Sequence, residues 1–102
     1  MKTTAYIMCL LISISQSYSQ GIWTQKANFP GIPRGDAFSF SIGAKGYMGC
    51  GADATVNMYN DFWEYDVVTN TWTQKANFMG LPRWQATAFS IGIKGYIGLG
   101  QT

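Results

Sequence analysis

The string WTQKANF occurs twice in this chain, as Trp23–Phe29 and as Trp72–Phe78, and the correspondence runs on at a fixed offset of 49 residues. Pairing residues 23–53 with 72–102 aligns 31 positions, of which 20 are identical. Beyond the shared heptapeptide the identities include Pro33/Pro82, Arg34/Arg83, Phe40/Phe89, Lys45/Lys94, Tyr47/Tyr96, Gly49/Gly98 and Gly51/Gly100. A period near 50 residues marks a repeat architecture, in which one supersecondary unit cannot bury its own apolar face and must stack on its neighbours.

Residues 1–19 are of another kind. Lys2 carries one positive charge, Ala5 to Ile14 form a short apolar stretch, and Ser17 and Ser19 place small residues three and one before Gln20. This order predicts a Sec-type signal peptide cleaved after Ser19, leaving residues 20–102 as the repeat domain and directing it to export. A membrane anchor is the alternative, but the apolar stretch falls well short of the roughly 20 residues a bilayer core demands. Cys9 has no small residue just ahead of it, which argues against lipidation.

Without the leader the only cysteine is Cys50, so no intrachain disulfide can form and stability has to come from packing. Cys50 aligns with Leu99, which predicts a buried apolar role rather than a reactive thiol. Six basic and five acidic residues remain, with the signs scattered, so the domain offers no footprint for nucleic acid or for an anionic membrane surface.

Each unit reads as strands. Phe38–Ile42 and Thr87–Ile91 alternate large apolar and small side chains with the period of a half-buried strand. Gly43–Gly46 and Gly92–Gly95 supply the tight connection to a second strand, expected over Tyr47–Gly51 and Tyr96–Gly100. Glycines at alternate positions of that strand leave one face bare for close approach. A third strand is expected over Asp61–Asp66, with Phe62, Glu64 and Asp66 on one face and Trp63 and Tyr65 on the other; Val67–Asn70 then turns into a fourth strand, Thr71–Ala76. Asn77–Trp84 passes to the next unit. No segment shows helical periodicity over ten or more positions. Four short antiparallel strands per unit, rich in aromatics and punctuated by glycine, describe one blade of a β-propeller.

The same residues resemble the kelch repeat in its bacterial secreted form. That pattern has a glycine pair closing the second strand, then a tyrosine and a tryptophan with six residues between them, then an arginine opening the next blade. Gly49 and Gly51, Tyr65 and Trp72, and Arg83 stand at those places; Gly98, Gly100, Trp23 and Arg34 are their counterparts. The departure is that Cys50 and Leu99 interrupt the glycines. The resemblance implies an all-β fold, a partial kelch propeller of four-stranded antiparallel blades, one complete and a second incomplete. It also implies that Gly49, Gly51, Tyr65, Trp72, Trp23, Gly98 and Gly100 hold the blades together. Residues 20–102 hold about 1.7 units, against the 4–8 blades that close a propeller ring. Further blades are therefore expected from the same or other chains. A truncated reading frame or a fragment of a larger secreted protein is the expectation, with assembly of several copies into one ring as the alternative.

In such a meander the two long connections, Ala52–Asn60 and Asn28–Asp36 or its partner Asn77–Gln85, share one end, and binding collects on loops of that kind. The candidate ligand face comprises Arg34, Asp36, Asp53, Asn57, Tyr59, Asn60, Arg83, Trp84 and Gln85. Asn57 and Asn60 also suit plain turn geometry, and residues shared by both copies, Arg34/Arg83 and Trp23/Trp72, suit packing. Gly35/Trp84 and Asp36/Gln85 differ between copies and so suit a ligand surface, Trp84 best of all because an indole can stack on a sugar. Arg34-Gly35-Asp36 spells a cell-adhesion tripeptide, but the repeat pattern already accounts for Arg34.

Asp53, Asn57, Asn60 and Asp61 lack the glycine-centred spacing of a calcium loop, and no metal or cofactor is expected. The chain has no histidine, hence no imidazole for a catalytic triad or for base chemistry near neutral pH. These observations point to a noncatalytic exported scaffold for a protein or glycan ligand. The alternative is a fragment of a carbohydrate-active kelch enzyme, similar to galactose oxidase or to sialic-acid mutarotase, whose catalytic residues are absent here.

Overall fold

The computed structural model of the chain describes residues 21–102, and the expected leader, residues 1–19, lies outside the described residues. All regular structure among the described residues is β: β1 (Phe38–Ile42), β2 (Lys45–Gly49), β3 (Phe62–Asp66), β4 (Thr71–Lys75), β5 (Thr87–Ile91) and β6 (Lys94–Gly98). Strands β1 to β4 form one antiparallel sheet in chain order, and β5 and β6 form a separate two-stranded antiparallel sheet. No helix among the described residues is long and apolar enough to cross a membrane.

Strand two is shifted from its expected place. It begins at Lys45 and ends at Gly49, rather than running from Tyr47 to Gly51, because the turn needs only Gly43 and Ala44 and because Cys50 and Gly51 both leave the extended region, with φ of 58° and 91°. The second copy repeats this: β6 ends at Gly98, and Leu99 and Gly100 follow at φ 64° and 86°. Residues 50 and 99 thus occupy a conformation that glycine takes at no steric cost and that a Cβ penalises.

The first sheet segregates its side chains as strand alternation demands. On one face Phe38, Phe40, Tyr47 and Phe62 make a ladder of stacked rings with centroids 5.1 to 6.3 Å apart. On the other, Tyr65 lies opposite Trp72 in register, ring centroids 5.1 Å apart. Phe29 sets its ring edge-on against Trp63 and Trp72, and the Trp72 indole donates to the Ala27 carbonyl at 3.0 Å. The chain before β1 is thereby fastened to the outer half of the sheet. Trp23, expected to hold packing as Trp72 does, is fully exposed and outside any strand. Trp72 owes its place to β3, and no described strand stands beside residue 23.

The apolar core is small and lies at one end of the sheet, where Phe38 is 3 %, Cys50 0 % and Ala52 7 % exposed. Glu64 is buried with them at 8 %, and is neutralised by Lys45 at 3.3 Å and Lys75 at 3.6 Å and by a hydrogen bond from the Tyr47 hydroxyl at 2.9 Å. Gly49 has no room for a side chain, since a methyl there would collide with the Asp61 carbonyl oxygen and sit 2.9 Å from the Phe38 ring. Between the sheets, β1 packs on β5 and β6, and the Phe40 ring lies so close over Gly95 that only a glycine fits beneath it.

Candidate functional site

Both long connections do converge at one end of the first sheet, and they are stitched together by backbone hydrogen bonds. Gly35 exchanges two with Ala52, at 2.9 and 3.0 Å; Gly51 N–H donates to Arg83 O at 2.8 Å, Arg83 N–H to Tyr59 O at 3.2 Å, and Gln85 N–H to Asp36 O at 3.0 Å. The result is an open depression of about 440 Å³ bounded by Pro33, Gly35, Asp36, Asp53, Val56 and Trp84, with Arg34, Ala52 and Ala54 also contributing.

Of the residues expected on a ligand face, Arg34, Asp36, Asp53 and Trp84 meet there, while Asn57, Tyr59, Asn60, Arg83 and Gln85 lie outside the depression. Arg34 is not free to serve a ligand. Its side chain is 2 % exposed, its guanidinium forms a bidentate pair with Asp61, and it donates to the carbonyls of Ile32 at 2.9 Å and Cys50 at 3.1 Å. Its guanidinium carbon also lies over the Phe29 and Tyr59 rings, 5.2 and 4.6 Å from their centroids. Arg34-Gly35-Asp36 therefore presents Asp36 without its arginine. Burial pushes the Asp61 carboxyl up, but the hydrogen bonds from Arg34 and Trp63 outweigh it and leave Asp61 below the usual carboxylate range.

Asp53 organises its own loop. Its two oxygens accept from Thr55 N–H, Thr55 Oγ1, Asn57 N–H, Asn57 Nδ2 and the Tyr59 hydroxyl, at 2.7 to 3.2 Å. The Tyr59 hydrogen bond first, then the others, hold this carboxyl far below its ordinary value. Five donors fill the acceptor capacity of a carboxylate. Asn57 and Tyr59 are thus consumed in shaping the loop, and Asn60 gives its carbonyl to Phe78 N–H at 2.8 Å. Val56, a β-branched residue held at φ 64° and 63 % exposed, stands at the tip of the same loop.

What remains unspent in the depression is the Asp36 carboxylate, the backbone at Gly35, the Trp84 indole and the apolar surfaces of Pro33 and Val56. Pro33, Ala52, Ala54 and Val56 escaped the sequence reading, whereas Gly35 was marked out by its difference from Trp84. Arg83 and Gln85 sit beside the second sheet, Gln85 at φ 57° and within 3.4 Å of Gln101, much as Asp36 sits at φ 56° beside Ala52. Among the described residues no cluster of three His, Cys, Asp or Glu side chains is placed to hold a metal ion. Cys50, just past β2, is raised by its burial above the ordinary thiol value, the nearby arginines opposing this only in part. Compared with protein-family models and with curated protein sequences, the chain matches none.

Proposed function

We propose that this chain is part of an exported kelch-type propeller and serves as a noncatalytic binding module, with the loop depression around Trp84 as its ligand face. The observation that carries this reading is the convergence of two copies' loops on one open depression. The position that differs most between copies, Gly35/Trp84, supplies its aromatic wall. A ring plate beside the free carboxylate of Asp36 suits a carbohydrate, whose apolar face stacks on the indole while its hydroxyls donate to the acid. A peptide aromatic edge is the other ligand this chemistry admits. A binding role also accords with Asp53, whose depressed carboxylate is saturated by its own loop and so is no base for a substrate.

The test is an oligosaccharide and peptide array probed with the full chain, followed by titration of the best ligand against tryptophan fluorescence. Trp84→Ala is expected to weaken binding about tenfold, the value of one good stacking contact. Thr69→Ala, at the opposite end of the sheet, leaves it unchanged. Equal affinity for wild type and Trp84→Ala would remove the depression from consideration.

A further inference from the structure

We infer that the loop depression selects a cationic ligand, an amino sugar whose protonated amine meets the Asp36 carboxylate while its ring lies on the Trp84 indole. This rests on the ligand face proposed above and assigns the charge that face takes.

The charges around the depression decide the sign. Arg34 is the one cation among its lining residues, and Asp61 holds the guanidinium in a bidentate pair. With a side chain 2 % exposed, Arg34 presents no positive charge to the opening. Asp36 and Asp53 line the same depression, and among the described residues neither has a lysine or arginine within ion-pair distance. Asp53 is bound by Thr55, Asn57 and Tyr59, whose neutral donors fix its charge in place without cancelling it. Arg83, one residue before Trp84, stands outside the lining and donates to the Leu81 and Leu99 carbonyls at 3.0 and 2.9 Å. The depression therefore offers two negative charges and no available positive one. An anionic ligand is repelled from it, and a cation is drawn in.

The walls decide what kind of cation. Trp84 is half-buried, so its indole is held while part of its surface faces the depression, and an indole attracts both an ammonium group and the apolar face of a sugar ring. Pro33 and Val56 extend the apolar wall, for which a bare metal ion has no use. A lysine side chain shares the ammonium but brings a flexible stem whose rotamer freedom is lost on binding. A pyranose is already rigid and loses less.

The probes are two β-1,4-linked tetrasaccharides of one skeleton, built of glucosamine or of glucose. Each is titrated into the full chain by calorimetry at about pH 5.5, where amines are protonated and carboxylates ionised. The glucosamine tetramer is expected to bind about tenfold tighter at low salt, an advantage that shrinks as salt screens the charges. Asp36→Asn should remove most of it. Asparagine tolerates the left-handed φ of 56° at this position, so the fold, checked by circular dichroism, is kept. Trp84→Ala weakens both tetramers alike. Equal affinity for the two tetramers, or an advantage that Asp36→Asn leaves whole, overturns the inference; the ligand face itself then stands if Trp84→Ala still weakens both. Affinities that Trp84→Ala does not touch dismiss the face as well. No binding of the glucosamine tetramer, or tighter binding of tetralysine, which would give the depression to a peptide, overturns the inference too.

Discussion

Cys50 and Leu99 hold the same place in the two copies of the unit and nearly the same backbone conformation, yet Cys50 is wholly buried and Leu99 is 75 % exposed. The contrast recurs along the strands: Phe40 is half-buried where Phe89 is 51 % exposed, and Ile42 is half-buried where Ile91 is 65 % exposed. Hairpin register, the positive-φ pair after the second strand and the isolated bridges Gly35–Ala52 and Trp84–Gln101 are nevertheless reproduced. Local sequence is therefore sufficient for the backbone of the first two strands, whereas burial depends on β3 and on whatever packs against the face. The all-β unit is a conformation first and a core only when its third strand is present.

The sharpest way to break this comparison is to remove the same arginine from each copy. Arg34→Ala strands the part-buried Asp61 carboxylate and is expected to cost about 3 kcal/mol, whereas Arg83→Ala, with no acid to strand among the described residues, is expected to cost no more than about 1 kcal/mol. Urea denaturation followed by tryptophan fluorescence, with Trp63 and Trp72 in the first sheet and Trp84 bridged to Gln101 beside the second, measures both. Equal losses would mean that the second copy carries a hidden partner for its arginine.

Aromatic truncation is next in size. Phe62→Ala removes the ring shared by Phe38, Phe40 and Tyr47 and is expected to cost about 2–3 kcal/mol. Phe89→Ala, half exposed with only Tyr96 stacked on it at 5.2 Å, should cost less than about 1 kcal/mol. Amide hydrogen exchange resolved by peptide assigns each loss to its sheet.

These effects also mark how far the sequence could be read. The alternation Phe38-Ser39-Phe40-Ser41-Ile42 and the faces of Phe62–Asp66 were legible because a strand announces itself through the period of its own residues. The Arg34–Asp61 pair was not, since its members are 27 positions apart and nothing local in either marks the other. For the same reason Asp53, Asn57 and Tyr59 read as exposed ligand groups, although together they close on one another. Where β2 ends also eluded pattern, because Cys50 and Leu99 give no sign of left-handed φ. The depression itself is a product of how two copies meet, which one unit's sequence does not contain.

Acid separates the copies more gently. Asp61 and Glu64 have folded values below their ordinary 3.8 and 4.5. Such carboxylates contribute stability that is complete above the unfolded value and is lost as pH falls through the folded one. The first sheet is therefore expected to weaken progressively below pH 4.5, with Asp61→Asn flattening part of the decline, while β5 and β6, which carry no carboxylate, show no matching change. Hydrogen exchange at neutral pH and at about pH 3 reads this difference, and a parallel loss in both sheets would contradict it.

The smallest effect has opposite signs in the two copies. At φ 64° Leu99 carries the steric penalty of a left-handed residue, about 1–2 kcal/mol, and its exposed side chain returns little for it. Leu99→Gly relieves that strain at the entropic expense of an added glycine, about 0.5–1 kcal/mol, and is expected to stabilise the second hairpin by about 0.5–1 kcal/mol. Cys50→Gly relieves a similar strain at φ 58° but empties a site with no solvent exposure at all. The lost side chain and the void it leaves outweigh the relief, so the first sheet is expected to weaken by about 1 kcal/mol. Thermal unfolding of the two single variants decides the matter: shifts of the same sign would show that residues 50 and 99 are governed by backbone strain alone, and that the third strand contributes nothing to what the copies do differently at this corner.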